Sequence, residues 1–140
     1  MNAEVVQVRG ITFVGKGGSG HWALMDGSGD FQGSEAANSP KELVLIGLGG
    51  CTGADVASIL HKMREKIDRF EINLDAETAT EHPKVFTTIH ITYKFWGNDL
   101  KPENIEKAIL LSQDKYCSVS AMLKKAVTIT YSHEINPKDE

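Results

Sequence analysis

The chain is predicted to be an α+β protein in which antiparallel sheet packs against one long central helix. Three observations carry that expectation. A helix start at Ser39 is marked by several independent signals and is followed by sustained apolar periodicity. Runs with strand-like alternation stand on both sides of it, at 4–14, 70–80, 84–97 and 127–135. The resulting order, β-β-α-β-β-α-α-β without internal repeat, lacks the regular alternation of a doubly wound parallel sheet.

At 140 residues the chain is expected to form a single domain, 1–140, large enough for a real core. A net charge of −4, with no run of lysine and arginine, points away from nucleic acid as a partner. The opening MNAEVVQVRG has neither the basic flank nor the apolar core of a signal peptide. Lys41 and Asp55 bracket the longest apolar stretch, so no membrane span is expected and the protein is read as cytoplasmic.

Residues 4–14, EVVQVRGITFV, are β-branched and alternating, which predicts a strand with Gly10 as a bulge or bend. Gly15, Gly17 and Gly20 match GxGxxG in form, but the following HWALMDG reads as a strand. A pyrophosphate site needs a helix there, so a hairpin turn is expected instead. Residues 27–38 form a polar loop rich in glycine and serine.

The central helix then opens with Ser39 as N-cap, Pro40 at the first helical position and Glu42 closing an S-x-x-E capping box. Its periodicity reaches Ile67, with Lys62, Arg64 and Lys66 near the negative end of the dipole. Leu45, Leu48, Thr52, Val56, Ile59 and Met63 form a core stripe. Gly47, Gly50, Ala54 and Ala57 line another face, with Gly53 at its edge. Each glycine inside a helix costs about 1 kcal/mol relative to alanine, and a seam of small residues lets a second backbone approach closely. A helix covered from two sides leads to the expectation of a homodimer.

Two strands follow, 70–80 and 84–97, joined through His82-Pro83. In the second, His90 falls on the face with Thr88, Thr92 and Lys94, a polar sheet face and not a catalytic pair. A helix from Pro102 to Tyr116 turns Ile105, Ile109 and Leu110 inward. A short helix capped near Ser118 and a last strand, VTITYSHEI, complete the order, and the tail NPKDE is expected to fray.

The candidate chemistry lies in Cys51 and Cys117, 66 positions apart. With no CxxC and no Cys/His spacing of metal-site type, no metal is expected. Cys51 lies too deep in its helix to benefit from the dipole, and Asp55, one turn on, opposes a thiolate. Activation would require a partner from elsewhere, for which Lys16, His21 and Lys41 are candidates. Cys117 precedes a helix N-terminus, where backbone N–H groups favour an anion. Read alone, each cysteine is either a reactive thiol or a buried small hydrophobe.

Taken together, Ser39-Pro40-x-Glu42, Gly49-Gly50-Cys51, Asp55, Ile59-Leu60 and the run Lys115-Tyr116-Cys117-Ser118-Val119-Ser120 resemble the OsmC/Ohr family, and more closely its small YhfA-type branch. The resemblance runs over nearly the whole chain, and the two cysteine segments are its specific part. It implies an OsmC-like fold as an intertwined homodimer around paired central helices. It also implies a thiol-dependent peroxidase that reduces organic hydroperoxides. Cys51 would become a sulfenic acid, Cys117 would condense with it, and an external dithiol or a lipoylated protein would restore both thiols, with no bound cofactor. Two family features have no counterpart here. The only arginines are Arg9, Arg64 and Arg69, none at the activating position, and Lys41 stands where the supporting carboxylate is expected. Glu42, one position on, reads first as the capping residue. The alternative expectation is therefore a non-peroxidase homodimer of the same fold that binds a small molecule or serves a structural role.

Overall fold

The computed structural model describes residues 1–138. It divides into two compact units, Met1–Ile46 and a second beginning at Gly47.

In the first unit, β1 (Ala3–Arg9), β2 (Thr12–Gly17) and β3 (Trp22–Met25) form an antiparallel meander in that order. The single strand expected over 4–14 is two strands. Gly10 sits at φ +55°, a conformation open to glycine, and reverses the chain where a bulge or bend within one strand was expected. Gln7 Nε2 donates to the Gly10 carbonyl at 2.6 Å across that reversal. The GxGxxG segment closes the β2–β3 hairpin as anticipated, with Gly20 at φ +78° and its N–H on the Gly17 carbonyl at 3.0 Å.

The loop after β3 is organised by Asp26, expected from sequence only as part of the end of the HWALMDG strand. Its carboxylate accepts from Thr12 Oγ1, Gly27 N, Ser34 N, Ser34 Oγ and Ala36 N at 2.6–3.2 Å. Gly33 passes so close to Gly27 that an added Cβ would overlap its carbonyl oxygen. The apolar side chains of this unit stay open: Val5, Val8 and Trp22 are more than half exposed, and the buried apolar core among the described residues lies entirely in the second unit.

The helix α1 (Pro40–Lys62) begins with the capping box read from sequence. Glu42 N–H donates to Ser39 Oγ at 3.3 Å, and Ser39 N–H donates to Glu42 Oε2 at 2.6 Å. It stops short of the expected Ile67 because Arg64 turns into the left-handed region at φ +62°. By length and composition α1 is apolar enough to cross a membrane, with mean hydropathy 1.8 over an 18-residue window, a property that the bracketing charges Lys41 and Asp55 concealed.

The second unit is a three-stranded sheet in the order β4 (Arg69–Thr78), β5 (Phe86–Trp96), β6 (Thr128–Ile135). β4 and β5 are antiparallel, but β5 and β6 run parallel, so the sheet is mixed. The connection between the parallel pair holds α2 (Pro102–Leu111), a π-helical turn (Ser112–Tyr116) and α3 (Ser118–Leu123), the long crossover such a pair requires.

Alternation along β5 places Ile89, Ile91, Tyr93 and Phe95 fully inside. Leu48, Val56 and Leu60 of α1 are buried with them, as are Ile105, Ala108 and Ile109 of α2. Leu110, expected to point inward, is exposed, and Ala108 takes the inward place. His90 occupies the polar face as expected, between Thr130 Oγ1 at 2.7 Å and Ser132 Oγ at 2.9 Å.

Two glycines of α1 have a packing reason. A Cβ on Gly49 would meet Leu74 Cδ1 at 2.8 Å, and one on Gly53 would meet Ile72 Cδ1 at the same distance. Among the described residues, beyond chain neighbours and the helix's own backbone, nothing lies within 4 Å of where a Cβ on Gly47 or Gly50 would sit.

The start of the tail is held, contrary to expectation. Asn136 exchanges side-chain hydrogen bonds with the Gly97 backbone at 3.0 and 3.1 Å, and Trp96 Nε1 donates to the Pro137 carbonyl at 3.0 Å. Residues 139 and 140, also in that tail, lie outside the described residues.

Candidate active site

Cys51 projects from the middle of α1 and is half-buried, whereas Cys117 lies in the crossover and is 2% exposed. Folding brings them together as free thiols: the sulfurs of Cys51 and Cys117 and a carboxylate oxygen of Asp55 all lie within 4.8 Å of one another. Asp55 joins the group because residues four apart stack on one helix face.

Cys117 is held by two backbone interactions that follow from its place between helices. Its N–H reaches back to the Ser112 carbonyl at 2.8 Å, closing the π-helical turn. Its sulfur accepts from Ser120 N–H at 3.4 Å, so Cys117 itself, not Ser118, is the N-cap of α3. Burial pushes the Cys117 thiol up from its ordinary range, and its hydrogen bond to Cys51 adds to the rise, while the Ser120 contacts oppose it. The Cys117 thiol is thereby held toward its protonated form.

Behind the thiols lies a buried polar network. Thr52 Oγ1 is 2.6 Å from Tyr93 OH and 2.9 Å from Ser112 Oγ. Gln113 Nε2 donates to both Tyr93 OH at 2.8 Å and Thr52 Oγ1 at 3.1 Å, and Gln113 Oε1 accepts from Ser120 Oγ at 3.1 Å. Ser112 Oγ donates toward Asp55 Oδ2 at 3.2 Å, and Lys124 Nζ donates to the Gln113 carbonyl at 2.8 Å. Among the described residues no buried side-chain nitrogen or oxygen lacks a partner, the condition under which such a network specifies one arrangement. Burial raises Tyr93 above the ordinary tyrosine range, so it serves as a neutral hydroxyl.

The network was not expected from sequence, where Thr52 stood in the core stripe and Ser112 and Gln113 were only part of the helix from Pro102 to Tyr116. The signal was present. Ser112 and Gln113 continue the buried face set by Ile105 and Ile109, where a polar pair requires partners. A groove of about 330 Å³ opens at Asp55, lined also by Ser58, Ile59, Lys62, Leu111 and Tyr116.

Residues 32–132 match the family described as OsmC-like protein. This chain belongs to the OsmC-like family. Protein YhfA of Escherichia coli K12 is 46% identical to it over 136 residues, covering 96% of this chain and 98% of that one. A solved structure of a hypothetical protein from Aquifex aeolicus superimposes with a TM-score of 0.85 at 31% identity, covering 99% of this chain and 97% of the other. A third, described as an organic hydroperoxide resistance protein OsmC from Legionella pneumophila, matches at TM-score 0.69 and 13% identity over 95% of each chain, which speaks for the fold alone.

Within this OsmC-like chain the other candidate residues belong to the N-terminal unit. Glu42 is engaged in the helix cap, which holds its carboxyl below the usual range through the Ser39 N–H. Lys16 pairs with Glu4 at 3.0 Å and lies 4.5 Å from the Trp22 ring. His21 is exposed in the turn before β3.

Proposed function

We propose that the protein is a thiol-dependent peroxidase that reduces organic hydroperoxides through a two-cysteine cycle. One observation carries the reading: two free thiols, from a helix and from a junction 66 positions further on, meet within 4.8 Å. A disulfide has an S–S distance of roughly 2 Å, so closure asks for a sulfur displacement of about 3 Å at most.

In the cycle Cys51 attacks the terminal oxygen of ROOH as a thiolate. The O–O bond breaks, the alkoxide takes up a proton and leaves as ROH, and Cys51 becomes a sulfenic acid. Cys117 then attacks the Cys51 sulfur, releasing water and forming the disulfide. An external dithiol, a lipoylated protein being one such donor, returns two electrons and two protons by exchange through a mixed disulfide. The upward shift of the Cys117 thiol supports this division of labour, since a thiol held toward its protonated form suits the resolving step better than the first attack. Leu111, Ile59 and Tyr116 give the groove an apolar side suited to the organic part of the peroxide.

We further propose a cytoplasmic homodimer that needs no cofactor for this chemistry. The uncovered apolar strands of the N-terminal unit and the open Gly47 and Gly50 face support the dimer, because both leave surface that a second chain would cover.

Treating reduced protein with cumene hydroperoxide is expected to remove two thiols per chain and give a Cys51–Cys117 link in peptide mapping. Cys117→Ser is expected to stop at the sulfenic acid. Thiols that stay free under excess peroxide would overturn the reading. The second reading, a non-peroxidase homodimer that binds a small molecule or plays a structural role, is favoured by Asp55, whose carboxylate beside the sulfurs opposes a thiolate. It predicts that Cys51→Ser leaves dimer stability and ligand binding unchanged.

A further inference from the structure

Asp55 has no part in the peroxide cycle, yet it completes a set of three donors. Cys51 and Asp55 stand four apart on α1, the spacing by which one helix offers two ligands to a metal ion. Cys117 brings the third donor from the crossover. Tetrahedral zinc, with Zn–S near 2.3 Å and Zn–O near 2.1 Å, holds its ligand atoms about 3.5–3.8 Å apart. The three atoms here lie within 4.8 Å of one another, so movements of about 1 Å would satisfy that geometry.

Orienting contacts are already in place: Ser112 Oγ donates toward Asp55 Oδ2 at 3.2 Å and Ser120 N–H donates to Cys117 Sγ at 3.4 Å. Asp55 also lines the groove of about 330 Å³, which gives the ion a route in and room for water as a fourth ligand. Sequence spacing gave no warning of this site, because it has neither the CxxC nor the Cys/His pattern by which such sites are read.

We propose that the reduced chain binds one thiophilic divalent cation, zinc or cadmium, through Cys51, Asp55 and Cys117. Two thiolates and a carboxylate select such ions over magnesium and calcium, which favour oxygen donors. Binding replaces two S–H protons by two metal–sulfur bonds and releases those protons to solvent. A bound ion and a Cys51–Cys117 disulfide exclude each other, since both use the same sulfur electrons. Metal would therefore protect the thiols from oxidation, and oxidation would expel metal. The site depends on the reduced geometry and not on the peroxidase reading.

Cobalt(II) is the probe: the reduced, metal-free full chain is titrated anaerobically, followed by displacement with zinc. One cobalt per chain is expected, with thiolate-to-metal charge-transfer absorption and tetrahedral visible bands, both abolished by one equivalent of zinc. Asp55→Asn is expected to weaken zinc binding about tenfold or more, and Cys51→Ser to diminish the charge-transfer band, each checked for native circular dichroism. No charge-transfer absorption in the wild-type chain would overturn the proposal. Zinc affinity unchanged in folded Asp55→Asn would overturn the three-donor site as well. Thiol loss to cumene hydroperoxide, measured without metal, tests the peroxidase reading separately, so either can fail alone.

Discussion

Replacing Gly50 by alanine separates two roles that a glycine can play in α1. Among the described residues, beyond its chain neighbours and the helix's own backbone, nothing lies within 4 Å of the place its Cβ would take. In a chain whose α1 face stays open, the substitution removes only the helix penalty of glycine and raises stability by about 0.8–1 kcal/mol. In a homodimer whose central helices meet along Gly47 and Gly50, the added methyl enters a packed seam. Overpacking costs about 1–3 kcal/mol, and a two-fold axis presents the methyl from both chains. The expected outcome is therefore a change of sign, with the dimer weakened and the loss growing as the protein is diluted.

Gly49→Ala is the internal control. Its Cβ would meet Leu74 Cδ1 at 2.8 Å, whereas carbon atoms rest at about 3.5–4.0 Å, so the leucine tip must give way by about 1 Å. Because that contact lies within one chain, its cost is expected to be independent of protein concentration. Guanidinium unfolding at two protein concentrations, with sedimentation velocity, reads both variants. A Gly50→Ala protein that is more stable by about 1 kcal/mol, with its oligomeric state unchanged, would refute the seam.

The buried network predicts that Tyr93→Phe strands donors and acceptors of Thr52 and Gln113, at about 1–3 kcal/mol in urea unfolding. At alkaline pH, Tyr93 and Cys117 both have raised folded-state values, so the folded chain binds more protons than the unfolded one. Their contribution is whole below the unfolded values, about 8.5 for cysteine and 10 for tyrosine, and is lost as pH rises through the folded ones, which a pH series of melting temperatures checks. Asp26 is held well below the usual carboxylate range, chiefly by the Ser34 side chain and the Gly27 N–H. Its contribution is present above about pH 4 and lost as pH falls through the folded value, so Asp26→Asn is expected to flatten the acid limb of the stability profile. Ser39→Ala removes the capping hydroxyl and is expected to cost about 1 kcal/mol in the same melts.

What could be read from sequence was what neighbouring residues decide. Ser39, Pro40 and Glu42 announce the start of α1 because a cap is made by residues three apart. The faces of β5 follow from alternation alone. Features set by distant or single-residue events were missed. Gly10 turns a strand into a hairpin by one positive φ, and Arg64 ends α1 by another. The parallel pairing of β6 is a choice of neighbour across a crossover that leaves no periodic trace. The helix glycines show the limit clearly: Gly49 packs on Leu74 although the small-residue face was assigned to Gly47 and Gly50. For the site, the meeting of Cys51 and Cys117 was expected only through family resemblance, since spacing cannot place a helix against a junction.

The π-helical turn links the network to the thiols. One extra residue in the ladder is enough to carry Cys117 N–H back to Ser112 and to leave the chain extended at Cys117, which then caps α3 with its sulfur. Ser112 and Gln113, the residues that open this turn, are also the ones bonded to Thr52 of α1 and Tyr93 of β5. A buried polar cluster of this kind gives little net stability over an apolar core of equal volume, because every member must first leave water. Its effect is positional: α1 carries Cys51 and Asp55, the turn carries Cys117, and the network ties one to the other through Thr52, Ser112 and Gln113. Chemistry that closes the two sulfurs therefore works between two elements that the network already holds together.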